Sequence, residues 1–184
     1  MRVTFIRFPD HQRAHVVVAR DDGVVYKLDS GPASAETPHD LVHFTVEDAL
    51  GIADGIWGAI AGGVVFRSMH HESGRRPPHA AERSKDLIRE HRELLQRAEL
   101  IGGLCERAAH GGLAAREPFM PLTTEQLDTA VAALRRADAA WSKLRVGEEL
   151  ELRWPAWCRI TAAATPAKTE RPGRSRSRRG RSSA

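Results

Sequence analysis

The chain has 184 residues, which is enough for one domain with a hydrophobic core but too few for two ordinary domains. Hydrophobic residues make up 41% of it, which excludes disorder throughout, and the net charge is +4. The charge is unevenly placed: residues 166–184 hold seven basic residues against one acidic residue, so this segment carries +6 and residues 1–165 carry −2. We therefore expect a single slightly acidic domain over 1–165 and a disordered Arg/Ser-rich tail over 166–184.

The tail is the only part of the chain whose composition suggests a polyanionic partner. Arginine and serine without aromatic residues allow electrostatic contact with phosphates but no reading of bases. The alternative is a solvated, disordered end in a chain that has 24 Arg and 4 Lys. The residues that would make such weak nucleic-acid contacts are Arg171, Arg174, Arg176, Arg178, Arg179 and Arg181.

Cysteine usage and the N-terminal segment bear on the cellular compartment. The two cysteines, Cys105 and Cys158, show no CxxC spacing, and so few cysteines do not make a disulfide scaffold. The first ten residues lack the apolar run of a secretory signal, and no apolar stretch approaches the roughly 20 residues of a membrane span. These features predict a cytoplasmic protein without membrane contact.

Residues 1–29 are typical of β-structure. A short apolar run begins at Val3, a second strand covers Ala14–Ala19, and Asp22-Gly23 is a hairpin turn that leads into Val24–Leu28. A three-stranded antiparallel meander is the simplest arrangement. Near the other end, alternation over 149–154 predicts a strand that joins the edge of the meander. With three to four helices packed on one face, the predicted fold class is α+β.

The helices are indicated by caps and apolar periodicity. Thr37, Pro38 and Asp40 resemble a capping box that starts a helix ending at Gly51. Asp54 is a candidate cap for a short helix through Ile60. The remaining predictions are a polar loop over 68–79, a long helix over 80–109 with a possible break at Gly102-Gly103, and a helix capped by Thr123 with Gln126 and a Leu122–Leu127 hydrophobic staple.

The strongest candidate for chemistry is the spacing of His39, His43 and Glu47. Residues four apart share one helix face, so two imidazoles and a carboxylate are available to chelate a divalent metal. The spacing is similar to HExxH of zinc peptidases, but Asp40 stands where that motif has its glutamate. His91, which lies in the apolar face of the long helix, is a candidate further ligand.

The alternative interpretation of these residues needs no metal. On the helical wheel, His43, Glu47 and Asp40 occupy a narrow polar arc in an otherwise apolar helix, which is typical of a side chain stripe left for water. His91 is in the same way typical of a hydrogen-bonded core histidine. On the sequence alone we favour a solvated or hydrogen-bonded stripe, with side chains that fan outward.

The segment Pro38–Glu47 resembles a group of uncharacterised bacterial proteins that share P-H-D-L-x-H-F-x-V-E after an N-terminal hairpin. The resemblance implies no activity. Three functional hypotheses remain open, and whether the chain is an enzyme is undecided. The first is a non-catalytic interaction or regulatory module, because no complete catalytic set is visible; the second is a divalent-metal-binding protein or metal-dependent hydrolase; the third is a nucleic-acid-associated protein acting through its tail.

Overall fold

The computed structural model describes residues 1–9, 14–30, 37–112 and 121–161. The predicted disordered tail and its arginines lie outside these residues. Five helices and five strands occur in the described part of the chain, in an α+β arrangement. In chain order they are β1 Arg2–Arg7, β2 Ala14–Ala19, β3 Val25–Ser30, α1 His39–Leu50, α2 Ile56–Gly62, β4 His70–Ser73, α3 Ala80–Glu90, α4 Arg92–Ala109, α5 Thr124–Ser142 and β5 Glu149–Arg153.

The strands form one antiparallel sheet in the order β4-β3-β2-β1-β5. The predicted meander is confirmed, and β5 joins its β1 edge as expected, with Val3 opposite Leu152. The prediction of a polar loop over 68–79 is wrong in part, because β4 pairs with β3 at the other edge. All four β4 side chains are exposed, so this strand has no alternation of polarity to reveal it. Backbone pairing, the Lys27–Glu72 ion pair and the Tyr26–His71 ring contact hold it on β3.

One face of the sheet forms the floor of the main core. Alternate residues of β1 and β2, such as Val3, Phe5 and Val16, have no exposed surface, and their neighbours along the strands point away from the helices. Phe5 makes edge-to-face contacts with Phe44 of α1 and Trp57 of α2, at ring-centroid distances of 6.2 and 6.0 Å. Each such buried side chain contributes about 1.5–3 kcal/mol, so α1 and α2 are docked firmly on the sheet.

Two predicted helix starts are wrong. Thr37 makes no capping bond: α1 starts after Pro38, and the Thr37 hydroxyl instead donates to the Asp138 carboxylate on α5. Asp54 does not cap α2 either, because the residue before α2 is Gly55. The first two N–H groups of α2 instead donate to a carboxylate of another helix, and at the start of α1 the Ser30 hydroxyl accepts from the Asp40 N–H.

The predicted long helix is two helices. It is interrupted at His91, where φ is −102° and ψ is 16°, and it runs on through Gly102-Gly103, the break that the sequence suggested. The capping box of α5 is confirmed, because the Thr123 side chain accepts from the Gln126 N–H and the Gln126 side chain accepts from the Thr123 N–H. None of the helices in the described ranges is both long and apolar enough to cross a membrane.

Arg7 ties the sheet to the end of α5. The side chain is buried, and its Nη1 donates to the backbone carbonyls of Trp141 and Ser142 at the end of α5 and of Leu144 just beyond it, at 2.7, 3.1 and 2.7 Å. The final carbonyls of a helix have no partner within the helix and carry partial negative charge. A buried guanidinium there satisfies them and is itself compensated.

Replacing Arg7 with Met should keep the aliphatic stem and remove these bonds. We expect a loss of about 2–5 kcal/mol in the free energy of unfolding, because buried carbonyls lose a charged donor. Urea denaturation measures this loss. Arg2→Met is the control, since Arg2 lies on the same strand with a side chain 55% exposed, and it should change stability by no more than about 0.5 kcal/mol. Equal effects of the two substitutions would contradict a role for the Arg7 bonds.

A double-mutant cycle distinguishes the observed partner of Thr37 from the predicted one. Thr37→Val and Asp138→Asn should be coupled by about 0.5–3 kcal/mol, because the two residues share a hydrogen bond. Thr37→Val and Asp40→Asn should add within about 0.5 kcal/mol, since they share no bond. The measurement is the unfolding free energy of each single and double variant. Coupling between Thr37 and Asp40, without coupling between Thr37 and Asp138, would instead support the predicted capping box.

Candidate metal centre

The polar face of α1 is covered by protein. His43 and Glu47 are exposed by only 2% and 1%, so the prediction that the stripe fans out into solvent is wrong for these two residues. Helix α4 lies against this part of α1 through Gly102, and the start of α2 lies against Glu47. Ionisable groups in such positions must be compensated by bonds within the protein.

Glu47 is compensated by the start of α2. Its Oε1 accepts from the Ile56 N–H at 3.0 Å and its Oε2 accepts from the Trp57 N–H at 2.8 Å. These are two of the orphan N–H groups of a helix N-terminus, where negative charge is stabilised. Gly55 is required beside the carboxylate, because a Cβ there would lie 2.5 Å from Glu47 Cδ. Glu47 therefore does for α2 what Asp54 was predicted to do.

His43 lies between two carboxylates. Its Nδ1 is 3.6 Å from Glu47 Oε1, and its Nε2 is 3.2 Å from Oε2 of Glu99 on α4. Burial by itself lowers the pKa of His43, but the two carboxylates outweigh it and raise the pKa to about 9. The imidazole in turn lowers the pKa of Glu99, whereas burial raises that of Glu47. Without a metal, these three side chains form an ion-paired cluster.

His39 completes a group that faces outward. Its Nε2 is 3.8 Å from Glu99 Oε2, and its ring centroid is 4.5 Å from that of His43. The ligand atoms of His39, His43 and Glu99 all lie within 4.8 Å of one another. The His39 and Glu99 side chains are 46% and 52% exposed, so the open side of the group meets solvent.

Two of the four residues predicted for a metal site thus meet, and two lie elsewhere. His39 and His43 come together, but Glu47 reaches inward to α2, and His91 occupies the junction of α3 and α4 outside the group. The carboxylate that joins the two histidines, Glu99, was missed. The sequence feature that could have indicated Glu99 is Gly102, three residues later. A glycine on the same face of a helix permits a second helix to approach closely.

Asp40, the residue that stands in place of a zinc-peptidase glutamate, is not part of the group. Its backbone N–H donates to the Ser30 hydroxyl at 3.2 Å. Burial raises the pKa of its carboxyl group, and a hydrogen bond from the Ser30 side chain opposes that rise. Asp40 therefore secures α1 to the end of β3, which is a structural task.

The chain matches no protein-family model, no curated protein and no solved structure. Its function is therefore argued from the chemistry of this site.

Gly102 can be tested as the residue that admits the His43 ring. A Cβ at this position would lie 2.6 Å from His43 Cε1, so Gly102→Ala should cost about 1–3 kcal/mol of unfolding free energy. Gly103→Ala is a matched control, since its Cβ would meet only the end of the Arg107 side chain at 3.4 Å. That change should be neutral or stabilise by up to about 1 kcal/mol. Thermal or urea denaturation giving the same sign for both would refute the close approach.

The raised pKa of His43 predicts how the stability of the metal-free protein depends on pH. The folded-state value of about 9 lies above the ordinary 6.5. The stabilisation is thus fully present below pH 6.5 and is lost as pH rises through 9. In EDTA, the difference in unfolding free energy between the wild type and His43→Gln should shrink over that interval. A difference that is constant from pH 6.5 to 9 would show that the folded protein does not favour the imidazolium.

Proposed function

We propose that this protein binds a divalent transition-metal ion through His39, His43 and Glu99. The observation that carries the proposal is the convergence of the three ligand atoms within 4.8 Å. Metal–ligand bonds of about 2.0–2.2 Å in a tetrahedron place ligand atoms roughly 3.4 Å apart. The Glu99 oxygen lies 3.2 Å from the His43 nitrogen and 3.8 Å from the His39 nitrogen. One distance is slightly shorter and the other slightly longer than the tetrahedral separation.

The donor set favours zinc and similar ions. Two imidazoles with one carboxylate suit Zn²⁺, whereas Mg²⁺ and Ca²⁺ prefer sites built from oxygen atoms. Three protein ligands leave a fourth position open, and the half-exposed side chains of His39 and Glu99 direct that position toward solvent. We assign no reaction to the site, because the other nearby carboxylates, Glu47 and Asp40, are engaged with α2 and Ser30.

The competing interpretation is a purely structural ion cluster. A protonated His43 between Glu47 and Glu99 accounts for the buried charges without any ligand. It places no requirement on His39, whose half-exposed ring lies beside Glu99 at the edge of the buried pairs. A metal ion must displace the proton from His43, so the two states exclude each other. The contribution of His39 therefore separates the two interpretations.

The experiment is zinc binding by protein purified without a histidine tag. After EDTA treatment and its removal, calorimetry or competition with a chromophoric chelator should show one Zn²⁺ per chain. His39→Ala and Glu99→Gln should each weaken binding at least about tenfold, because losing a ligand costs no less than losing the partner that orients a ligand. The controls are His70→Ala, an exposed histidine on β4, and Glu93→Gln, an exposed glutamate on α4, and both should bind as the wild type does.

Two results would overturn the proposal. One is the absence of stoichiometric binding by the wild type, which leaves the ion cluster as the better account. The other is binding that survives His39→Ala and Glu99→Gln unchanged, which would place the zinc elsewhere. Mg²⁺ in place of Zn²⁺ should give no measurable heat at the same concentrations.

The other functional hypotheses stay as predictions. The polyanion contacts of the tail fall outside the described residues, and a role as an interaction module is compatible with metal binding. A metal ion that joins α1 to α4 would stabilise the surface these helices present, which is one way in which a non-catalytic module is regulated.

A further inference from the structure

The carboxylate of Glu47 lies between the start of α2 and the ring of His43. On one side it accepts the two N–H groups that begin α2, at 3.0 and 2.8 Å. On the other it faces Nδ1 of His43 at 3.6 Å. That nitrogen is buried and has no hydrogen-bond partner in the described structure. An unpartnered polar atom at such a depth calls for an explanation, since buried polar groups are nearly always bonded.

We propose that Glu47 is a positioning residue for the metal site, a role that rests on the proposed function. A metal ion on Nε2 of His43 requires that the single proton of the neutral ring reside on Nδ1. A buried Nδ1–H needs an acceptor, and Glu47 Oε1 is the group that faces it. A shift of a few tenths of an ångström closes 3.6 Å to a hydrogen bond. The carboxylate then holds the ring with Nε2 directed at His39 and Glu99.

Glu47 is suited to this role because it cannot turn away. Both of its oxygens are held by backbone N–H groups of Ile56 and Trp57, and Gly55 packs directly against the carboxylate. A rigid acceptor fixes the tautomer and the orientation of a ligating histidine before the ion arrives, and carboxylates behind metal-bound histidines have this effect. Through these bonds of Glu47, the proposed metal ligand His43 is linked to the first turn of α2.

The test compares zinc affinity among Glu47→Gln and two controls. Glu47→Gln keeps the size of the side chain and removes its charge, and it should weaken zinc binding by about ten- to a hundredfold. Asp48→Asn makes the same charge change one residue along α1, at an exposed side chain outside the site. Val18→Ala destabilises the core at β2, far from these contacts. Both controls should bind zinc as the wild type does.

Each outcome has a distinct meaning. Wild-type affinity in Glu47→Gln overturns the positioning role while leaving metal binding intact. Equal losses in Glu47→Gln and Val18→Ala also overturn it, because affinity would then follow stability alone. A wild type that binds no zinc removes the proposed function itself. The visible spectrum of the Co²⁺ form supplies a readout of ligand geometry: it should change in Glu47→Gln and remain that of the wild type in both controls.

A measurement on the wild type covers the case in which Glu47→Gln does not fold. The backbone amide resonances of Ile56 and Trp57 should shift in nuclear magnetic resonance spectra as Zn²⁺ is added, with the same saturation point as the binding isotherm. The physical reason is that Glu47 accepts from both amides, and zinc binding would add the bond from the His43 ring to the same carboxylate. Amide resonances at the start of α2 that do not move at saturating zinc would overturn the link.

Discussion

The buried Glu47 carboxylate links α1 to the start of α2 and lies beside His43, which faces α4. Removing an ionised carboxylate from water costs several kcal/mol unless hydrogen bonds and an opposite charge replace the lost hydration. Here two backbone N–H groups at the start of α2 and the imidazole of His43 supply that replacement. Each partner is therefore held at a defined place relative to α1. These bonds join α1 to α2 in addition to the apolar contacts between the helices.

The same reasoning explains why glycines stand where they do. Gly55 lies against the Glu47 carboxylate, and Gly102 lies against the His43 ring, and a Cβ at either place would approach within 2.5 or 2.6 Å. Close approach shortens the contacts of a charged pair and excludes water from them, which strengthens the electrostatic interaction. The polar cluster therefore requires the glycines beside it, because larger residues would prevent these contacts. Because α4 comes so close, Glu99 reaches the open side of His43.

Arg7 shows a second use of buried charge in the same fold. Its guanidinium satisfies the carbonyls at the end of α5, whereas the Glu47 carboxylate satisfies the N–H groups at the start of α2. In each case a charged side chain from a distant or preceding element replaces the missing local cap. The signs agree with the helix dipole, which favours anions at N-termini and cations at C-termini. Helix ends that have weak caps of their own become the points where elements are joined.

The elements that could be predicted from the sequence are those specified by neighbours along the chain. The meander with its Asp22-Gly23 turn, the strand at 149–153 and the capping box at Thr123 depend on local patterns, and the structure has all of them. The sequence also brought His39 and His43 together, because residues four apart share a helix face. The remaining features depend on how the folded chain packs. Contacts between distant segments determine that Glu99 joins the two histidines, that Thr37 bonds Asp138, that Glu47 bonds α2, and that β4 pairs with β3. A buried charge or an edge strand takes its partner from whatever the fold places beside it.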